Sequence, residues 1–144
     1  ALRRGETVLC DRFIDSTRAY QGAAGGLDPG TVDALERVVV GPTRPDLTLI
    51  LDLAPEAGLA RAAGRGARTG QGADRFEAEA LDFHIRLREA FLAIARAEPE
   101  RCAVIDASRE PDAVEAAIRA AVAARLPALL PDRPAGEDRS GDAA

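Results

Sequence analysis

Apolar residues fall along this chain in two kinds of run. Three are short and continuous: residues 7–10 (Thr-Val-Leu-Cys), residues 47–53 and residues 103–105. Their length and branched side chains read as buried strands. Each runs into a carboxylate at or near its carboxyl end, Asp11, Asp52 and Asp106 respectively. The other runs recur every three or four residues, which is the period of a helix buried on one side. Strand candidates separated by helical patterns predict an α/β fold with a parallel sheet and crossover helices.

Four helices follow from the periodicity. The first begins at Asp28-Pro29, a capping carboxylate followed by proline at the first helical position. It places Val32, Leu35, Val38 and Val39 on one face and stops at Gly41-Pro42. The second begins at Pro55 and carries Leu59, Ala60 and Ala63 before glycines take over. The third has the most sustained stripe, with Phe76, Ala80, Phe83, Leu87, Phe91 and Ile94. The fourth runs from Glu110-Pro111 to Leu126, with Val114, Ala117, Ile118, Ala121 and Val122 inward. Residues 127–144 lack periodicity and are rich in Pro, Gly, Asp and Ala, so the folded unit is expected over residues 1–126 with a disordered tail after it.

Composition narrows the function classes. The chain has 144 residues, 47% of them hydrophobic but only 3% aromatic, so Ala, Leu, Val and Ile must build the core. A net charge of −5 gives no basic face for nucleic acid. No run approaches the roughly 20 apolar residues of a membrane-spanning helix, and no signal peptide is visible, so a cytoplasmic location is expected. Cys10 and Cys102 each adjoin an apolar run and read as buried free thiols. His84 is the only histidine and has no partner at metal-ligand spacing, so a surface or packing role is expected and no metal site. There is no Met, so Ala1 reads as an internal position, and all 19 basic residues are Arg.

The chemistry concentrates where the first strand candidate ends. Asp11-Arg12-Phe13-Ile14-Asp15-Ser16-Thr17-Arg18-Ala19-Tyr20-Gln21-Gly22 puts a carboxylate, a guanidinium, two hydroxyls, a phenol and an amide at a strand's carboxyl end. That edge is where ligands sit in open α/β sheets. An ever-charged planar Arg suits a phosphate, and a Gln amide suits a base edge. The residues alone leave alternatives open: Arg12 pairing with Asp15 or Asp52, Asp11 capping a turn, Ser16 as a cap and Tyr20 as a core ring. At helical spacing, Ser16 and Tyr20 share a face, as do Thr17 and Gln21.

This dodecapeptide resembles the monophosphate-binding segment of bacterial thymidylate kinases, P-loop enzymes that move a phosphoryl group from ATP to dTMP. The resemblance extends from about Gly5 to Leu126 and includes Arg44-Pro45-Asp46-Leu47-Thr48, Pro55-Glu56 and Asp74-Arg75-Phe76-Glu77. It implies a nucleoside monophosphate kinase fold of the P-loop type, incomplete at the amino terminus, with dTMP and ATP as substrates, Mg²⁺ accompanying ATP, and a homodimer. It implies that Arg12 binds the dTMP phosphate and that Asp11 lies beside the reacting phosphates. Gln21 and the hydroxyl of Ser16 or Thr17 would contact thymine, with Tyr20 against the sugar. Phe13 stands where the family often has Tyr or His.

Residues 61–75 mix glycine with Arg61, Arg65, Arg68 and Arg75. Glycine hinges and closing arginines suit a lid, and the position matches the family's lid. By that resemblance Arg65, then Arg68, would stabilise the transferring phosphoryl group, with Arg61 nearer the adenine and Arg75 opening the next helix. Asp106-Ala107-Ser108 matches the adenine-side loop. The loop G-x-x-x-x-G-K-[ST], whose Lys holds the donor phosphates, does not occur, so this chain alone is expected to be inactive. The competing readings are another nucleotide or nucleoside kinase of the same fold, and a non-catalytic remnant.

Overall fold

The computed structural model describes residues 1–65 and 73–130, and the side chains of residues 1–63 and 80–130. After a single 3₁₀ turn at Leu2–Arg4, the chain runs through α1 (Ile14–Thr17), which continues as a π-helical turn (Arg18–Ala23). There follow α2 (Pro29–Val39), β1 (Thr48–Asp52), α3 (Pro55–Arg65), α4 (Ala73–Ala97), β2 (Cys102–Asp106), α5 (Pro111–Arg125) and a 3₁₀ turn (Pro127–Leu129). The last turn occupies the start of the segment expected to be a tail; residues 131–144 lie outside the described residues.

β1 and β2 pair in parallel, with Thr48 opposite Cys102 and Asp52 opposite Asp106. The connection between them contains α3 and α4, as a parallel crossover requires. Ile50 and Cys102 face α4, where Leu87, Ala90, Ile94 and Ala95 complete the buried core together with Ala19 of the π-helical turn. Ile105 alternates to the other face and is also buried, with α5 packed on β2. Of the α4 stripe read from the sequence, Leu87 and Ile94 are therefore core and Phe83 and Phe91 pack half-buried against it, while the Phe76 side chain lies outside the described residues.

Two expectations of burial are corrected. Residues 7–10 form no strand and are exposed, Leu9 at 97%. An apolar run of strand length forms a strand only when another strand satisfies its backbone, and among the described residues the sheet has two strands, neither of them this one. Cys10 is accordingly exposed, whereas Cys102 is buried as expected. On α2, Asp28 caps as read, its carboxylate accepting from the Thr31 amide at 3.0 Å. Gly41, at φ +56°, follows the helix where a side chain would be strained. Of the apolar face, however, only Val32 is buried; Leu35, Val38 and Val39 are exposed while Glu36 turns inward to Arg44.

Candidate active site

The acceptor segment is built from an irregular piece of helix. Arg12 sits at φ +62°, the only non-glycine residue with positive φ among those described. That left-handed geometry costs roughly 1–2 kcal/mol for an L-residue. Phe13 then takes the N-cap position of α1, and the helix widens to π geometry from Arg18. Helices of the π type are rare and concentrate at functional sites.

The turn folds the Arg12 side chain back along the helix. Its guanidinium carbon lies 4.4 Å from the centroid of the Tyr20 ring, within cation–π range. Its Nε is 3.4 Å from the Ser16 hydroxyl oxygen. The Tyr20 ring is itself held against α4, 6.1 Å from the Phe83 ring and 6.3 Å from that of Phe91. Tyr20 is thus a half-buried core ring and a platform for Arg12 at once. Arg12, Ser16 and Tyr20 are brought together, and Arg12 remains exposed, its two terminal nitrogens without a protein acceptor among the described residues. Thr17 is half-buried, while Asp11 and Gln21 are exposed at the two ends of the segment.

Neither carboxylate suggested as a partner for Arg12 pairs with it. Asp15 is buried, at 4% exposure, and accepts a two-pronged hydrogen bond from Arg101, at 2.8 and 2.9 Å. Burial alone would raise the Asp15 carboxyl, but Arg101, the Thr48 hydroxyl and Arg18 outweigh it and hold the group below its usual range. Asp52 instead receives both prongs of Arg88, at 2.7 and 2.8 Å, which lowers its carboxyl despite partial desolvation. Arg88 and Arg101 were not singled out from the sequence. The visible signals were Asp15 and Arg18, and Glu98 and Arg101, each three residues apart.

On the far side of the sheet edge, Arg61 donates to the carbonyls of Ala107 and Ser108, at 3.1 and 3.5 Å. The Asp106 carboxylate accepts from the amide and hydroxyl of Ser108 and is lowered by them. The start of the expected lid is thus tied to the loop after β2. That start is helical, since α3 runs on to Arg65. The side chains of Arg65 and Arg75, and all of Arg68, lie outside the described residues. An open cavity of about 310 Å³ between β1, α3 and α4 is lined by Asp52, Leu59, His84, Leu87, Arg88 and Phe91, among others. His84 also meets the Phe83 ring edgewise, with centroids 5.7 Å apart. No group of three or more His, Cys, Asp or Glu side chains among the described residues is placed to hold a metal. Nor is any described helix long and apolar enough to cross a membrane.

The family model for thymidylate kinase matches residues 1–118. The chain belongs to the thymidylate kinase family. It is 57% identical over 126 residues to the thymidylate kinase of Rhodopseudomonas palustris, covering 88% of this chain and 54% of that protein. It is 58% identical over 125 residues to that of Caulobacter vibrioides, covering 87% and 58%. The crystal structure of thymidylate kinase from Ehrlichia chaffeensis superposes with a TM-score of 0.59 at 29% identity, over 83% of this chain and 54% of that one. The fold is therefore the P-loop nucleoside monophosphate kinase type. The chain spans about half the length of the curated thymidylate kinases it matches.

Proposed function

We propose that this chain supplies the acceptor site and lid of a kinase that transfers the γ-phosphoryl group of Mg·ATP to dTMP, giving dTDP and ADP for nucleotide biosynthesis. The observation that carries the reading is the Arg12 guanidinium, exposed, without a carboxylate partner among the described residues, and shelved on Tyr20 beside Ser16. An acidic neighbour would cancel its attraction for a phosphate dianion, and Asp15 and Asp52 are both occupied elsewhere.

In this reading Arg12 grips the dTMP phosphate and orients one of its oxygens for in-line attack on the γ-phosphorus, the bond to ADP breaking as the new one forms. Positioning of this kind supplies much of the rate enhancement in phosphoryl transfer. Asp11 lies beside the reacting phosphates. Gln21, with Ser16 or Thr17, reads the thymine edge, and Tyr20 lies against the deoxyribose, where it would crowd a 2′-hydroxyl. Arg61 and Arg75 serve ATP, with Arg65 or Arg68 closing on the transferring phosphoryl group. Magnesium arrives with ATP as part of the substrate. A cytoplasmic homodimer completes the reading, its contact supported by the exposed Leu35, Val38 and Val39 on α2.

An ADP-release assay across nucleoside monophosphates tests this, using the protein that carries this chain together with the G-x-x-x-x-G-K-[ST] loop. Stimulation by dTMP above all others is expected. Stimulation only by a different monophosphate would assign another kinase of the fold, and absence of any would leave a non-catalytic remnant.

A further inference from the structure

Among the described residues, a largely buried cluster of charged side chains joins the acceptor helix to the start of the sheet. Each Asp15 carboxylate oxygen accepts twice: Oδ2 from Arg101 and the Thr48 hydroxyl, Oδ1 from Arg101 and Arg18. Arg101 also donates to Thr48, at 2.6 Å, and to Glu98, at 2.9 Å. Glu98 in turn accepts from Arg18. The five side chains come from α1, the π-helical turn, the first residue of β1 and the loop between α4 and β2. None of them is hydrogen-bonded to the Arg12 side chain, which reaches Ser16 instead.

We propose that Asp15 and Arg101 are positioning residues for the monophosphate site: their forked ion pair fixes α1 and the π-helical turn to the start of the sheet, and so sets where Arg12, Ser16 and Tyr20 stand. The proposal rests on the reading of that segment as the acceptor site. The physical need is specific. α1 is four residues long and continues in π geometry, and helix this short has no stability of its own. Its apolar anchors are Ile14, Ala19 and the Tyr20 ring. Apolar contacts of that kind do not select a single rotation, whereas a bidentate guanidinium–carboxylate pair does. The pair contributes orientation chiefly, because desolvation offsets most of the attraction between buried charges.

Tyr20 is the only tyrosine and there is no tryptophan, so tyrosine emission from the 144-residue chain reports on this segment alone. Acrylamide quenching of that emission, and amide exchange over residues 14–23, should be compared in the wild type, Asp15→Asn, Arg101→Gln, Arg101→Lys and the double variant Asp15→Asn/Arg101→Gln. Exchange in α3, remote from the pair, serves as the control. Asp15→Asn and Arg101→Gln are each expected to accelerate exchange over 14–23 roughly tenfold or more and to raise quenching, as unpairing a buried charge does. The double variant should go no further than either single one. Arg101→Lys, which keeps charge without the fork, should fall between. Unchanged quenching and exchange would overturn the proposal, as would acceleration of α3 to the same degree, which would mark a general loss of stability.

Titration with dTMP separates this inference from the kinase reading. If the wild-type chain binds dTMP, Asp15→Asn should bind it about tenfold or more weakly, and equal affinity would overturn the positioning role. If the wild-type chain binds no dTMP while quenching and exchange respond as expected, the acceptor reading of this chain fails and the anchoring of the segment stands.

Discussion

At the scale of single residues, exposure decides what a substitution does. The Arg12 side chain is exposed and, among the described residues, engages Tyr20 and Ser16 alone, so Arg12→Lys should change folding stability by no more than about 0.5 kcal/mol. A lysine cannot offer the planar fork that a phosphate accepts, and dTMP affinity should fall about tenfold or more. Calorimetric titration beside urea denaturation checks both, and an undiminished affinity would remove Arg12 from the phosphate site. Tyr20 inverts the pattern. Tyr20→Phe keeps the ring between Phe83 and Phe91 and the face beneath Arg12, and its stability should stay within about 0.5 kcal/mol of the wild type. Tyr20→Ala removes both contacts and should cost about 2–3 kcal/mol in the same denaturation. Of these residues, Arg12 could be singled out in the sequence as a phosphate candidate because only a handful of side chains suit a phosphate. Its left-handed backbone and its perch on Tyr20 were not, since both depend on the π-helical turn and on α4 lying alongside.

At the scale of elements, the acceptor helix is tied down by groups that titrate together. Burial opposes charge on Asp15 and Glu98, yet their arginine partners prevail and both carboxyls are lowered. Groups whose folded pKa is depressed stabilise above their unfolded values, and that stability drains away as pH falls toward the folded ones. Unfolded carboxyls titrate near about 4, so over the acid range below that value the unfolded state binds more protons and stability rises with pH. Tyr20 emission should therefore hold steady from neutrality to about pH 4–5 and change below it, with a weaker acid response in Asp15→Asn. A transition near neutrality would show that these carboxylates do not control the segment. Helix boundaries were well read because caps and periodicity are local: Asp28 and Glu110 stand at the N-caps of α2 and α5. Which face of α2 is buried was misread, because Glu36 gains a partner, Arg44, that comes from outside the helix.

At the scale of the whole molecule, the sheet is narrow. Among the described residues two parallel strands carry the core, and beyond it Leu51, Val104, Val8, Leu9, Val38 and Val39 are all exposed. The sequence showed three strand-like runs and therefore a wider sheet. What it could not show is that a strand forms only when its backbone meets another, and residues 7–10 meet none among the described residues. Each strand of a two-stranded sheet also presents one edge to whatever approaches, and such edges template pairing between copies unless charge or proline blunts them. Among the described residues, residues 7–10 and the outer edges of β1 and β2 remain available, flanked by exposed apolar side chains. The 144-residue chain by itself should accordingly self-associate. Sedimentation velocity should show species that grow with concentration, and thermal unfolding should be broad and dependent on concentration. A monomer at all concentrations with one sharp unfolding transition would show that α4, α5 and the β1–β2 pair make a self-sufficient core, and that the exposed edge is protected by the chain's own charge.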